Sequence, residues 1–108
     1  MAHELVVVLS NATADHDERT GRPILHLIFA ETSKEPLRIL GNKNLGQPLE
    51  FRVAGRTLLT PVIREPVGVG TWRIINRDWT DQEVIDLAKQ LNNAPKGEIE
   101  VRTVPLPK

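Results

Sequence analysis

The chain has 108 residues, a length that suits one domain and is too short for two. Lysine and arginine total 14, as do aspartate and glutamate, and this balance argues against a general polyanion-binding or membrane-surface protein. The absence of cysteine excludes disulfides, thiolate nucleophiles, zinc ribbons and iron–sulfur clusters. We therefore expect a single domain over residues 1–108, and the lack of disulfides fits a reducing, cytoplasmic compartment.

The first predicted element is a strand over Leu5–Leu9, a β-branched apolar run typical of a sheet centre. The run is far shorter than the roughly 20 residues that span a bilayer. No lysine or arginine precedes it, so we expect no signal peptide, although Ala12-Thr13-Ala14 has the form of a cleavage site. The polar stretch Asn11–Arg22 is predicted to be an exposed loop. Its acids and histidine at 15–18 lack the alternating spacing of a calcium loop, so we expect no metal site there.

The next segments are predicted to be two strands separated by a turn. Ile24–Ala30 is apolar on both faces, which is typical of a central strand. Glu31–Pro36 is interpreted as a turn, and Leu37–Leu40 as a short strand with Arg38 pointing outward. Gly41–Pro48, with its asparagines and glycines, is predicted to be irregular.

A β-hairpin is predicted in the middle of the chain. Leu49–Val53 alternates apolar and charged residues, as a half-buried strand does. A tight turn leads into Thr57–Ile63, where Pro61 indicates an edge strand or an early end of the strand, because proline has no N–H to donate. Thr71–Asn76 is the next predicted strand.

One helix is predicted, just before the last strand. Thr80-Asp81-Gln82-Glu83 has the form of a capping box, and apolar residues follow it at helical spacing. Val84–Leu87 taken alone is also compatible with a strand, and this alternative stays open. Glu98–Val104 is the last strand. The whole pattern predicts an all-β protein, an antiparallel β-sandwich of about seven strands with one short helix before the last strand.

The hydrophobic spacing of several segments resembles that of a known group of domains. These segments are Pro23–Phe29, Ser33–Leu40, Phe51–Val53, Thr60–Arg64, Val84–Leu87 and Gly97–Arg102. Together they resemble the immunoglobulin-like accessory domain that precedes the catalytic domain of deuterolysin-type metallopeptidases, and the related intracellular proteinase-inhibitor sandwich. The resemblance implies an immunoglobulin-like sandwich without an active site of its own, and a peptidase as partner. It also favours a strand over Val84–Leu87.

Charge is unevenly distributed along the second half of the chain. Phe51 to Arg77 holds five arginines and one acid, whereas Asp78 to Glu100 holds six acids and two lysines. Tryptophan and arginine are enriched at protein-interface hot spots. The residues of the predicted interface are Trp72, Trp79, Arg52, Arg73 and Arg77. Two other interpretations stay open: that the arginines pair with the acidic segment while both tryptophans lie in the core, and that the same residues bind single-stranded nucleic acid.

No motif in the sequence indicates catalysis or a cofactor. His3-Glu4 begins like the zinc-protease helix motif, but Val7 stands where the second histidine belongs. His26 has no serine or aspartate at a spacing that would indicate nucleophilic catalysis. Gly68-Val69-Gly70 precedes a predicted strand rather than a helix, unlike a dinucleotide-binding loop. We therefore expect a protein that is not an enzyme and uses no cofactor or metal.

The expected function is that of a non-catalytic protein-binding module. The resemblance makes a peptidase inhibitor or a peptidase-associated accessory domain the specific expectation. Such an inhibitor presents a loop or an edge strand to an extended cleft, and the segments that suit this are Gly41–Pro48, Val67–Gly70 and Thr57–Ile63. The alternative is a structural or assembly subunit, for instance of a virus particle or a secretion machine. This alternative predicts a homo-oligomer or stable complex and a surface apolar patch around Trp72 or Trp79. We expect a protein partner rather than nucleic acid or a membrane.

Overall fold

The described residues form one antiparallel sheet and two α-helices. The computed structural model describes residues 4–64 and 71–104. The elements are β1 (Glu4–His16), β2 (Pro23–Phe29), α1 (Glu31–Lys43), β3 (Leu49–Val53), β4 (Arg56–Leu59), β5 (Thr71–Ile75), α2 (Asp81–Asn92) and β6 (Glu98–Thr103). The strand order is β4-β3-β6-β1-β2-β5, and each neighbouring pair is antiparallel. The prediction of a mostly antiparallel β-protein is therefore confirmed.

The sheet folds over on itself at β1. This strand pairs with β6 through Glu4–Val8 and with β2 through Leu9–His16, and its register with β2 shifts between Leu9 and Asn11. Phe51 of β3 lies against Trp72 of β5, with ring centroids 6.1 Å apart. Four strand spacings of a flat sheet would separate these strands by about 19 Å. The two halves of the sheet therefore face each other, and the core lies between them.

Side chains from the two helices complete the hydrogen bonding of β1 where a neighbouring strand stops. Beyond the end of β2, the Ser33 hydroxyl of α1 accepts a hydrogen bond from the backbone N–H of Val8 at 2.8 Å. Beyond the end of β6, the Asn92 side chain of α2 bonds both backbone groups of Ala12. The Ala12 N–H donates to Asn92 Oδ1, and Asn92 Nδ2 donates to the Ala12 carbonyl, each at 2.8 Å. Buried backbone groups need such partners.

Replacing Asn92 with alanine is expected to lower the free energy of unfolding by about 2 kcal/mol, because two hydrogen bonds of about 1 kcal/mol each are lost. Urea denaturation followed by circular dichroism measures the difference. Gln90→Ala is the matched control, since Gln90 lies exposed on the same helix and its loss should change stability by less than about 0.5 kcal/mol. Equal stabilities of the two variants would show that the amide does not complete β1.

The predicted helix is confirmed as α2, with its predicted cap. Thr80 Oγ1 accepts a hydrogen bond from the Glu83 N–H at 3.2 Å, and Glu83 Oε1 accepts one from the Thr80 N–H at 3.1 Å. Val84 and Leu91 are buried on the inner face of the helix. The alternative of a strand over Val84–Leu87 is therefore wrong, because the capping box and the apolar spacing both act in favour of a helix.

Three predictions for the first half of the chain need correction. The loop predicted over Asn11–Arg22 is wrong for its first part, since β1 runs on to His16. The turn over Glu31–Pro36 and the strand over Leu37–Leu40 are wrong, because α1 covers both segments. Ser33, Leu37 and Gly41 are the buried residues of this helix, spaced four apart on one face. The irregular segment Gly41–Pro48 begins only after Lys43, where α1 ends.

The finer prediction of an immunoglobulin-like sandwich of about seven strands is not confirmed. The described residues form six strands in one continuous sheet, and α1 and α2 connect strands of its two halves. The predicted strands Leu49–Val53, Thr71–Asn76 and Glu98–Val104 agree with β3, β5 and β6 to within a residue. Thr57–Ile63 forms the edge strand β4 only as far as Leu59.

Candidate functional site

A groove separates the two edges of the folded sheet. β4 and β5 are the outermost strands in the strand order, and the folding of the sheet places them on opposite sides of a cavity of about 1040 Å³. The cavity is lined by residues 58–64 on one side, and by residues 71–77 and Trp79 on the other. Within the described chain, neither strand has a partner on its outer side. The groove therefore lies between two strand edges that are free within residues 4–64 and 71–104.

The β4 side of the groove is shaped by its turn, a bulge and a proline. Ala54 and Gly55 both have positive φ, which gives the two-residue turn that joins β3 to β4. Leu58 is an extra residue in the register with β3, so the strand bends there. The chain then stays extended, with the Pro61 carbonyl accepting from the Leu49 N–H at 2.9 Å. β4 thus ends before Pro61, in agreement with the predicted early end of the strand.

The β5 side presents its backbone in a defined way. Asn92 holds the N–H and C=O of Ala12, so these groups point away from β2. Antiparallel ladders alternate from residue to residue. Ala12 lies opposite Leu27, so the backbone groups of Leu27 point away from β1 and toward β5. Leu27 in turn lies opposite Trp72, so the backbone groups of Trp72, and by the same alternation those of Ile74, point toward β2. The backbone groups of Thr71, Arg73 and Ile75 point to the free edge.

Trp72 belongs to the core and forms the floor of the groove. Its exposed fraction is 3%, and its ring packs edge-on against Phe29 at 6.2 Å as well as against Phe51. The interpretation of Trp72 as a core residue is therefore confirmed. Trp79 is half-buried in the turn before α2, packs against the core and lines the groove.

Three arginines give the groove a positive charge. Arg64, Arg73 and Arg77 line it, all three are exposed, and the described lining residues include no acid. The positive charge of Arg73 also acts on Asp17, in the turn after β1. There the pKa of Asp17 is lowered, chiefly by the backbone N–H of Arg19, with the Thr20 hydroxyl and Arg73 adding to the effect.

Arg52 lies apart from the other predicted interface residues. It is on the outer face of β3, opposite to the inward-facing Phe51, and forms an ion pair with Glu50 at 3.6 Å. Arg102 of β6 contacts the same carboxylate at 2.7 Å. The structure thus brings together Trp72, Trp79, Arg73 and Arg77 in one groove, and does not bring Arg52 there. Arg64 is a groove residue that was not predicted, although it belongs to the same arginine-rich stretch.

Residues 15–18, at the end of β1 and in the turn that follows it, contact their own neighbours and α2. Asp15 accepts a hydrogen bond from the His16 N–H, and Asp17 accepts one from the Arg19 N–H at 3.1 Å. The His16 ring lies 2.9 Å from the Asp81 carboxylate at the start of α2. Among the described residues, no group of three histidine or acidic side chains is arranged to hold a metal ion. The predicted binding loop Val67–Gly70 lies outside the described residues.

Comparisons with known proteins give no match. No family model, no curated protein and no solved structure matches this chain. Neither helix in the described parts of the chain is long and apolar enough to cross a membrane. The groove and its residues are therefore the structural features from which a function can be inferred.

Proposed function

We propose that this protein is a non-catalytic protein-binding module that takes an extended segment of a partner protein into the groove between β4 and β5. The observation that carries the proposal is the pair of free strand edges on the two sides of one groove. A free edge presents backbone N–H and C=O groups that an added strand can pair with. Such strand addition is a common way for proteins to recognise extended peptides.

The dimensions of the groove suit a short peptide strand. The five residues of β5 extend over about 17 Å at about 3.4 Å per residue. A peptide paired with β5 would place alternate side chains over Trp72 and Ile74, which are buried, and the others beside exposed Arg73. The contact between Phe51 and Trp72 closes the core beneath. A peptide can therefore bind without opening the core.

Binding through the backbone can be tested with peptides selected from a random library displayed on phage. We expect selected peptides to protect the amides of Thr71, Arg73 and Ile75 from hydrogen exchange, since these amides face the free edge. Ile75→Pro should weaken binding, because it removes one edge N–H without removing a bond to β2. Ile75→Ala keeps the N–H and is the matched control. Protection elsewhere, or equal binding by both variants, would contradict the proposal, and so would the absence of any selected peptide.

Within this proposal, a peptidase is the first partner to test. Support for it comes from the two facing halves of the sheet, which suit a sandwich-like domain. It also comes from the resemblance to immunoglobulin-like accessory and inhibitor domains in those segments that are strands in the structure, Pro23–Phe29, Phe51–Val53 and the Glu98–Arg102 part of Gly97–Arg102. The resembling segments Ser33–Leu40 and Val84–Leu87 are helical and give no such support. An inhibitor of this kind would place its edge strand in the extended cleft of the peptidase. Inhibition of serine, cysteine, aspartic and metallopeptidases by the purified protein tests this. Inhibition by the wild type and not by Ile75→Pro is the expected result. A cytoplasmic location is part of the same proposal and is supported by the lack of cysteine.

The alternative function, a structural or assembly subunit, has less support. It predicts an apolar surface patch around Trp72 or Trp79. Trp72 is buried and Trp79 is half-buried, so the exposed apolar surface beside them in the groove is limited to residues such as Val62 and Ile75. Sedimentation of the purified protein tests this alternative. A stable homo-oligomer that covers the groove would favour it over peptide binding.

A further inference from the structure

We infer that the segment bound in the groove alternates acidic and apolar residues, with the acidic side chains beside Arg73 and the apolar ones over the floor. The inference depends on the proposed function, since it names the chemistry of the segment that the groove would take. The charge of the lining, the alternation of β5 and the burial of the aromatic rings all support it.

The charge of the groove favours an acidic partner. Arg64, Arg73 and Arg77 carry no ion pair among the described residues, and no acid is found among the lining residues that the structure describes. Arg64 and Arg73 lie on opposite sides of the groove. A bound segment would therefore have positive charge on both sides. Charge complementarity of this kind selects partners and speeds their association.

The alternation of β5 sets the pattern of the bound segment. Trp72 and Ile74 face inward and are buried, whereas Thr71, Arg73 and Ile75 face outward and are exposed. In an antiparallel pair, residues directly opposite each other have their side chains on the same face. The residue opposite Arg73 therefore faces outward and suits an acid. Its two neighbours face inward toward Trp72 and Ile74, and suit apolar side chains.

The same arginines would also suit the phosphates of a single-stranded nucleic acid, but the rest of the groove does not. Base stacking needs exposed aromatic faces. Trp72 is buried and Trp79 is only partly exposed. The free backbone groups of β5 are satisfied by a peptide strand and not by a sugar–phosphate chain. The observations therefore favour an acidic peptide.

Fluorescence polarisation with three capped, labelled peptides tests the inference. The first is Val-Asp-Val-Asp-Val-Asp-Val, the second has lysine in place of each aspartate, and the third has the composition of the first with its aspartates adjacent. We expect the first to bind about tenfold more tightly than either of the others. Arg73→Glu should reverse the preference between the first two peptides. Arg56→Glu is the matched control, because Arg56 is exposed on β4 but does not line the groove, and it should leave the preference unchanged.

The outcomes separate the inference from the proposed function. Equal binding of the aspartate and lysine peptides, or of the alternating and adjacent isomers, would overturn the inference while strand addition stands. Binding of library peptides without binding of the alternating acidic one would do the same. Failure of all peptides would remove the proposed function as well. Displacement of the acidic peptide by a single-stranded oligothymidylate at lower concentration would overturn the inference in favour of nucleic acid.

Discussion

Replacing Phe51 with alanine is expected to lower the free energy of unfolding by about 3–5 kcal/mol, the range for a large aromatic side chain removed from a packed core. The side chain is fully buried, and its ring lies against Trp72 across the interior of the folded sheet. Its loss would leave a cavity between the two halves. Urea denaturation, followed by both circular dichroism and tryptophan fluorescence, measures the effect.

The fluorescence provides an independent check on where the cavity forms. Trp72 and Trp79 are the two tryptophans of the chain, and Trp72 is the one in contact with Phe51. Phe51→Leu keeps part of the apolar volume and serves as control, with a smaller loss of stability. A loss below about 1 kcal/mol for Phe51→Ala would contradict the core described here, since core truncations of this size cost several times more.

Gly97→Ala is expected to cost about 2–4 kcal/mol, through a left-handed backbone and a steric clash together. Gly97 has φ +70°, and a Cβ built on it would lie 2.9 Å from the Leu9 carbonyl oxygen. The close contact is with backbone, so a change of side-chain rotamer cannot relieve it. The turn before β6 passes close to β1 where β1 changes partners, and this approach requires glycine.

Gly55→Ala separates the cost of the left-handed backbone from the cost of the steric clash. Gly55 has φ +81°, but a Cβ there would meet no atom within 4 Å. Its replacement should therefore cost only the conformational strain, about 1–2 kcal/mol. The same denaturation experiment measures both variants. Equal losses for Gly97→Ala and Gly55→Ala would show that the backbone of Leu9 is not in the way.

Local patterns were sufficient to predict most strands and α2. The alternation of Leu49–Val53 and the capping box at Thr80 are encoded within a few residues, so the sequence reveals them directly. α1 was not predicted because Pro36 is inside it, and proline usually marks a helix boundary. The second part of β1 was not predicted because its residues are polar, and it is held by pairing with β2 and by Asn92.

The candidate site could be predicted only in part. The arginine-rich composition predicts Arg73 and Arg77 as interface residues, and both line the groove. The same composition included Arg52, which lies on the outer face of the other half of the sheet. Strand alternation shows which residues share a face of one strand, but not which strands come to face each other. The groove exists because β4 and β5, separated by four strands in the sheet, meet through its folding.

The order of the strands determines when the domain can complete its folding as the chain is synthesised. β6 follows every other described strand in the sequence, yet it lies between β1 and β3 in the sheet. While the chain is emerging from the ribosome, β1 and β2 can pair, and so can β3 and β4, but the two hairpins have no strand to join them. Pairing of such distant segments is slow because a long loop must close. This domain therefore completes its folding, and forms its groove, only after β6 has emerged from the ribosome.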